Sequence, residues 1–368
     1  MTKLFNPLRV GRMELSNRIA MAPMTRLRAD DQHAPLPIVK DHYAQRASVP
    51  GTLIITEATS ISLRGGNYPN TPGIYNDAQI AAWKEVTSAV HAKGSYIYLQ
   101  LWALGRVGIP DLLKAEGGFD LVSSSAVPAN ADGPVPRALT ESEIEAFIGE
   151  YAQAARNAVA AGFDGVEIHA ANGYLIDQFI QDVTNKRTDR WGGSVENRSR
   201  FAVEITRAVV DAIGADRTGI RFSPFSSFQG MKMEDPLPQF THLAQALRPF
   251  KLAYAHLVEP RASGFDIIET DETLNFFFEA YEDAGPIVVA GGYTPDSARE
   301  AVDVTYQNHE VVVAFGRPFT SNPDLLFRLK ENVELTPYQR DVLYIPKEPK
   351  GYVDFGFSAE FQAATAAA

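Results

Sequence analysis

GVEIHAANGYLIDQF, at residues 165–179, begins as a short apolar run and then brings three polar side chains within six residues. The apolar start is typical of a buried strand, and His169, Asn172 and Tyr174 follow it. His and Asn can both donate hydrogen bonds to one oxygen, and a Tyr with an ordinary pKa of about 10 keeps a proton that it can donate. The stretch therefore indicates either a site that polarises a carbonyl and protonates a neighbouring carbon, or a loop whose polar groups cap the next helix.

Seven further apolar runs are similar to this strand, and most of them precede a helical pattern. Buried strands that alternate with amphipathic helices indicate βα units and a parallel sheet. Eight units in 368 residues favour an α/β fold with a single (β/α)₈ TIM barrel. Two doubly wound domains are the alternative, but no linker divides the chain and no G-x-G-x-x-G follows the first strand. The predicted strands are residues 18–24, 53–58, 96–101, 165–169, 218–222, 253–258, 286–290 and 310–315.

Three segments lie outside the alternating pattern, within a chain that we interpret as a single domain over 1–368. Residues 1–17 predict an N-terminal hairpin that turns at Gly11 and closes the bottom of the barrel. Residues 103–139, after the third strand, are rich in Gly, Pro, Ser and Ala, and a long insertion of this kind is usually a functional lid or wall. We expect it to form a substrate wall, and we expect residues 356–368 to be a disordered tail.

Composition and charge limit the classes of partner. The net charge of −11 and the pI near 5.2 argue against nucleic acid or an anionic membrane. No apolar run approaches the length of about 20 residues that a membrane span needs, and the N-terminus lacks a signal-peptide core. The absence of cysteine excludes disulfides, thiolate zinc sites and iron–sulfur clusters, and no acidic or His cluster has metal-ligand spacing. We expect a cytoplasmic protein, monomeric or homodimeric, that acts on small molecules and holds no metal.

The carboxyl ends of the predicted strands should build the active site, as they do in barrels of this type. Thr25, Gln100 and Arg221 offer a hydroxyl, an amide and a fixed positive charge there. Gly residues end the seventh and eighth strands; each alone is an ordinary turn residue, but together with Arg317 they favour a phosphate site. A phosphate beside groups spaced for a planar heterocycle indicates a phosphorylated ring cofactor, for which flavin is the natural candidate.

Seven motifs along the chain are similar to those of a known family. They are MAPMTR at 21–26, ITEAT at 55–59, QLWALGR at 100–106, VEIHAANGYLIDQF at 166–179, NKRTDRWGGSVENRSRF at 185–201, VVAGGY at 288–293 and VAFGRPFTSNPDL at 313–325. Through them the chain resembles the old yellow enzymes over nearly its whole length, and the His/Asn pair in the fourth-strand motif is similar to one branch of that family. The resemblance implies a barrel that binds FMN noncovalently, takes a hydride from NADPH or NADH, and reduces the C=C bond of activated alkenes.

The same resemblance implies roles for individual residues. His169 and Asn172 are expected to bind the substrate carbonyl oxygen, and Tyr174 to protonate the α-carbon. Thr25 and Trp102 are expected to contact substrate as well, with Thr25 also tuning the flavin. The residues expected to bind FMN are Pro23, Met24, Thr25, Ala58, Gln100, Arg221, Gly291, Gly292, Phe315, Gly316 and Arg317.

Two questions stay open at this level. Either Tyr352 or Phe355 is expected beside the substrate. The segment 223–231 and the loop 261–267 are expected to shape the pocket, and their aromatic residues are candidates either for its lining or for plain core packing: Phe225, Phe228 and Phe265. The competing functions are a flavin-dependent reductase or isomerase dedicated to one secondary metabolite, a silent flavin-binding protein, and a flavin-free phosphate-binding aldolase or isomerase.

Overall fold

The computed structural model describes residues 2–264 and 266–367, and its centre is a closed barrel of eight parallel strands. Each strand is buried over nearly its whole length, which explains the continuous apolar runs in the sequence. The strands are β1 Ile19–Met21, β2 Leu53–Ser60, β3 Tyr96–Trp102, β4 Gly165–His169, β5 Thr218–Phe222, β6 Tyr254–Val258, β7 Ile287–Ala290 and β8 Val311–Phe315.

The strands pair in chain order around the barrel, and β8 closes on β1 through the pairs Val313–Ile19 and Phe315–Met21. The predicted (β/α)₈ barrel is confirmed. The ends of two strands differ from the prediction by more than one residue. β1 stops at Met21, and β2 runs to Ser60 across a change of register between Ile55 and Ala58. A shift of this kind re-aims the side chains that follow it.

Eight helices cover the outside of the barrel within the described residues, and their ends follow local sequence signals. Helix α3 begins with a capping box in which Thr140 and Glu143 each satisfy a backbone N–H group of the other. The Ser194 side chain caps α4. The helices are α1 Pro37–Arg46, α2 Asp77–His91, α3 Glu141–Ala160, α4 Val195–Ile213, α5 Leu237–Leu247, α6 Asn275–Tyr281, α7 Pro295–Glu300 and α8 Leu325–Glu331.

Shorter elements decorate the ends of the barrel. Four further helices are Pro110–Gly117, Leu175–Ile180, Arg317–Ser321 and Ala359–Ala366. Single 3₁₀ turns occupy Lys3–Phe5, Leu63–Gly65, Gly105–Val107, Ala215–Arg217, Phe228–Gly230, Arg248–Phe250 and Arg340–Val342, and a π-helical turn, Ala301–Thr305, continues α7. Short strand pairs are Leu8–Val10 with Met13–Leu15, Val122–Ser123 with Arg137–Ala138, and Ala262–Ser263 with Asp266–Ile267.

The N-terminal hairpin closes the bottom of the barrel, as predicted. Its apolar side chains join a buried cluster with residues of the barrel interior such as Leu53 and Tyr98. Gly11 sits in the turn with a φ of 56°, and a Cβ there would lie 2.2 Å from the Asp216 carbonyl oxygen. Only glycine tolerates both this conformation and this close approach. Arg12 then pairs with the Asp216 carboxylate at 2.6 Å.

The expectation that residues 356–368 form a disordered tail is wrong, since the helix Ala359–Ala366 lies within this segment. The Ser358 side chain caps this helix, and the Ser358 backbone N–H donates to buried Asp324 at 2.9 Å. Phe361 is 8% exposed and packs its ring 5.2 Å from that of Phe327. A cap, the hydrogen bond to Asp324 and the ring contacts of Phe361 with Phe327 and Phe357 therefore hold this alanine-rich end, which composition does not reveal. No helix among the described residues is long and apolar enough to cross a membrane.

Candidate active site

A cavity of about 320 Å³ opens at the carboxyl end of the barrel. This is a size typical of a small-molecule site. All the expected site residues except Trp102 line it, so the barrel brings together groups that are far apart in the sequence. Those residues are Pro23, Met24, Thr25, Ala58, Gln100, His169, Asn172, Tyr174, Arg221, Gly291, Gly292, Phe315, Gly316 and Arg317.

The turn after β4 directs three polar side chains into this cavity. Asn172 and Gly173 both have left-handed backbones, with φ values of 58° and 79°. Asn accepts this conformation more readily than most residues, and Gly accepts it freely. The Asn172 N–H donates to Ser223 Oγ at 2.7 Å, and the Gly173 N–H donates to the Asp177 carboxylate at 2.8 Å. The turn is thereby fixed on both sides before Tyr174 begins the helix Leu175–Ile180.

Burial sets the protonation of His169 and Tyr174. Desolvation, reinforced by the positive charge of Arg221, lowers the pKa of His169 well below its ordinary value, so the imidazole is neutral. Desolvation raises the pKa of Tyr174 to about 12, so the phenol keeps its proton across the physiological range. The two rings contact each other edge to face with their centroids 4.9 Å apart. A neutral hydrogen-bond donor and a weak acid therefore lie side by side.

A polar network lies inside the barrel beside the cavity. Gln100 Nε2 donates to Glu167 Oε1 at 2.7 Å, and His256 Nδ1 lies 2.8 Å from Glu167 Oε2. Glu167 and His256 are fully buried. Desolvation lowers the pKa of Arg221, and the negative charge of nearby Glu167 opposes this lowering without cancelling it. The Arg221 Nε is buried without a hydrogen-bond partner among the described residues.

The two Gly-rich turns follow β7 and β8, which are neighbours in the barrel and lie across it from β3 and β4. Gly291 and Gly292 both have positive φ values, of 147° and 63°. A Cβ on Gly291 would lie 2.7 Å from the Glu259 Cβ, so the chain needs glycine there. Arg317 begins the helix Arg317–Ser321 and lines the cavity beside Gly316. Backbone groups and one guanidinium thus converge where the sequence predicts a phosphate.

Neither Trp102 nor the insertion 103–139, which the sequence predicts as substrate contacts, lines the cavity. Trp102 is fully buried behind Tyr174, with the two ring centroids 5.2 Å apart, so it supports the phenol and does not face the cavity. None of the described residues that line the cavity comes from the insertion. The insertion contacts the cavity only indirectly. Its Arg106 donates to the carbonyl oxygen of Gln229 at 2.7 Å and so holds the loop that carries Phe228, which lines the cavity.

The outer wall comes partly from segments that the sequence indicates and partly from residues that it does not. The segment 223–231 contributes Phe228, and the loop 261–267 contributes Ile267. Of the other aromatic candidates, Phe225 is a core residue and Phe265 lies outside the described residues. Neither Tyr352 nor Phe355 lines the cavity: Tyr352 is fully buried and stacks on His42 with ring centroids 3.8 Å apart. The residues found only from the structure include Tyr293, Tyr338, Arg340, Leu343 and Tyr344.

Comparison with known proteins identifies the family. Residues 3–336 match the sequence profile of the NADH:flavin oxidoreductase / NADH oxidase family. The chain belongs to this family. The old yellow enzyme homologue of Zymomonas mobilis superposes with a TM-score of 0.88 at 40% identity, over 96% of this chain and 99% of that one. The protein is therefore an oxidoreductase of the old yellow enzyme type, a family that binds FMN.

Two relatives within the family are closer in sequence. A chanoclavine-I aldehyde reductase of Penicillium roqueforti is 67% identical over the full length of both chains. An NADP-dependent oxidoreductase of Aspergillus flavus is 57% identical over 97% of each chain. Both alignments also cover the segments around the cavity that lie outside the quoted motifs.

The described residues fit FMN. The cavity joins an amide and a buried, unpartnered guanidinium nitrogen at one end to two glycine turns and an arginine at the other. A heterocycle with hydrogen-bonding edges suits the first end, and a phosphate suits the second. No cluster of three or more His, Asp or Glu residues suited to a metal occurs in the described part of the chain. The donor set therefore suits an organic cofactor.

Proposed function

We propose that this protein uses NAD(P)H to reduce the C=C bond of α,β-unsaturated carbonyl compounds or nitroalkenes. The single observation that carries the proposal is the contact between neutral His169 and the high-pKa phenol of Tyr174 in the cavity beside Asn172. When bound, FMN supplies hydride transfer between the nicotinamide and the substrate. The net reaction adds one hydride to the β-carbon and one proton to the α-carbon.

His169 and Asn172 act on the carbonyl oxygen in this proposal. Hydride addition to the β-carbon moves negative charge onto that oxygen, and two fixed donors stabilise the charge as it develops. A neutral imidazole donates one N–H group, and the Asn172 amide donates another. The left-handed backbone and the Ser223 contact hold Asn172 in place, so the donors need little reorganisation.

Tyr174 supplies the proton. An enolate is basic enough to take a proton from a phenol, and a pKa of about 12 keeps that proton available in the resting enzyme. The Trp102 ring on one side and the His169 ring on the other fix the phenol ring. Proton delivery to one face of the alkene then follows from this fixed position.

The flavin position is proposed from the same lining residues. Thr25, Pro23, Met24 and Ala58 would hold the ring, and Gln100 and Arg221 would serve its polar edge, since all six line the cavity. The two glycine turns, Phe315 and Arg317 would hold the phosphate. The nicotinamide and the alkene would then share one site in turn, so we expect ping-pong kinetics, and a ternary complex would contradict this order.

A dedicated substrate is the second candidate, favoured by the 67% identity to a chanoclavine-I aldehyde reductase. We propose that the natural substrate is an unsaturated aldehyde of a secondary-metabolite route. The outer wall of Ile267, Tyr338 and Tyr344 selects it, since large, partly exposed apolar side chains suit a bulky apolar substrate.

An anaerobic stopped-flow experiment tests the proposal. The protein loaded with FMN is reduced with NADPH and then mixed with 2-cyclohexenone or an α,β-unsaturated aldehyde. We expect the absorbance of oxidised flavin to return on mixing. No return with either alkene would reject C=C reduction, and failure of NADPH to bleach the flavin would reject the hydride donor.

A further inference from the structure

Two charged or polar side chains lie inside the barrel without facing the cavity. Glu167 is in β4 between Val166 and Ile168, and His256 is in β6 between Ala255 and Leu257. Both are fully buried. Their strands are not neighbours, so the 2.8 Å contact between them crosses the interior of the barrel. A buried charge is costly unless it is paired, so this pair needs a reason.

The network fixes which way each group points. Desolvation raises the pKa of Glu167, but His256, Arg221 and Gln100 together hold it below its ordinary value, so the carboxylate is ionised. An ionised carboxylate only accepts hydrogen bonds. The Gln100 atom that lies 2.7 Å from it must therefore be the amide nitrogen, and the His256 atom must be a protonated Nδ1. The chemistry of the partner makes this assignment.

This orientation has a consequence in the cavity. With Nε2 bound to Glu167, the other branch of the Gln100 amide is its carbonyl oxygen, and Gln100 lines the cavity. Gln100 therefore presents an acceptor to a ligand, which suits a ring edge that carries an N–H donor. A reversed amide would present a donor and would oppose the same edge.

We propose that Glu167 and His256 are positioning residues that lock the Gln100 amide with its carbonyl oxygen toward the cavity, and so select the N3–H edge of the flavin. The inference rests on the proposed placement of FMN beside Gln100. Gln100 and Glu167 are register partners on β3 and β4, so the lock is built into the barrel itself. Arg221, opposite His256 in the register of β5 and β6, balances the charge of the carboxylate.

Glu167→Gln tests the lock because it keeps the shape and exchanges one acceptor for a donor. If His256 Nδ1–H keeps its acceptor, the new amide turns its NH₂ group toward Gln100 and reverses the Gln100 amide. We expect the FMN dissociation constant of the apoprotein to rise at least about tenfold, or about 1.4 kcal/mol. Wild type should bind FMN methylated at N3 at least about tenfold more weakly than FMN, whereas Glu167→Gln should barely distinguish the two.

Three controls separate this role from general damage. Asp324→Asn removes another fully buried carboxylate, one that binds Arg328 at 2.8 Å and does not line the cavity, and it should keep the preference for unmethylated FMN. His256→Asn, which keeps a donor near the Nδ1 position, should retain the preference better than His256→Leu. Circular dichroism and thermal unfolding of each apoprotein report whether it folds.

The outcomes are distinct. If wild type does not bind FMN, the proposed function fails. If wild type binds FMN but Glu167→Gln shows the same affinity and the same penalty for N3 methylation, the lock is refuted while the proposed function stands. If Glu167→Gln does not fold, His256→Leu decides: an unchanged penalty for methylation rejects the inference, and a lost penalty supports it.

Discussion

The role of Tyr174 as proton donor gives the most direct mutational prediction. Tyr174→Phe removes one oxygen and keeps the ring that packs on Trp102 and His169 at centroid distances of 5.2 and 4.9 Å. The variant should therefore fold and bind FMN as wild type does. A positioned general acid typically contributes about 10²–10⁴ in rate. The alkene half-reaction should slow by that factor, which corresponds to about 3–5 kcal/mol of barrier.

The assay measures the two half-reactions separately. Flavin reduction by NADPH needs no phenol proton, so its rate should change by less than about threefold, which is under 1 kcal/mol. Reoxidation by 2-cyclohexenone should carry the whole loss. With a pKa of about 12, Tyr174 stays protonated up to pH 10, so its titration should not change the wild-type rate of alkene reduction below that pH.

Tyr68→Phe is the matched control. Tyr68 packs on Trp102 at a centroid distance of 5.4 Å, and its hydroxyl donates to the Val107 carbonyl at 3.1 Å, away from the cavity lining. Loss of this hydroxyl should leave both half-reactions nearly unchanged. Equal loss in both half-reactions of Tyr174→Phe, or an equal effect of Tyr68→Phe, would refute the assignment of the proton donor.

Three further predictions follow from the cavity and the core. His169→Ala and Asn172→Ala should each lower kcat/KM for an enone by about 10²–10³, as loss of one oxyanion donor does. Unchanged values would exclude hydrogen bonding of these two residues to the carbonyl oxygen. Arg317→Ala should weaken FMN by about 10–100-fold and riboflavin hardly at all in fluorescence titrations, because a charge-assisted hydrogen bond contributes about 1.5–3 kcal/mol; equal weakening of both would move the phosphate elsewhere. Burial raises the pKa of Glu57 from 4.5 to about 7, so this group binds protons more tightly in the folded state and its contribution to stability falls as pH rises through that window. Urea unfolding should show the stability of Glu57→Gln rising relative to wild type by up to about 3 kcal/mol between pH 4.5 and pH 8, and parallel pH profiles would contradict the buried acid.

The barrel was predictable because its signals are local. Each strand is a mostly apolar run, and several helices begin with caps or Pro residues, as α3 does with Thr140 and Glu143. The predicted bounds of β4 and β5 agree with the structure residue for residue. The fourth-strand site was predictable because polar residues at a strand end are unusual, and the barrel topology requires strand ends to converge.

The part of the outer wall formed by residues 338–344 was not predictable, because it depends on where an irregular segment lies in the folded chain. Tyr338 and Tyr344 lie in a stretch without periodicity, and the cavity needs their position rather than any motif. That position is set by buried arginines far away in sequence: Arg26 Nε donates to the Leu343 carbonyl at 3.1 Å, and Arg28 donates to the Lys350 carbonyl at 2.8 Å. Trp102 was predicted to contact the substrate, but it lies behind Tyr174 and does not line the cavity. The sequence shows a large aromatic residue at a strand end, and this is compatible with either side of Tyr174.

The Glu167–His256 pair did leave a signal in the sequence. A carboxylate and an imidazole in the middle of otherwise apolar strands are costly to bury. Glu167 interrupts the apolar run in VEI, and His256 interrupts the one in AHL. The sequence does not say that the two side chains meet inside the barrel from the strands on either side of β5. The closed topology supplies that fact, and with it the reason why both residues are polar.

The identity of the product tests the central claim most directly. The enzyme is incubated with NADPH and an α,β-unsaturated aldehyde, and the product is identified by NMR. The proposed roles of His169, Asn172 and Tyr174 predict a saturated aldehyde with its carbonyl intact and one NADPH consumed for each molecule formed. An allylic alcohol would show that the hydride goes to the carbonyl carbon, and a product formed without NADPH consumption would indicate an isomerase; either result would contradict C=C reduction.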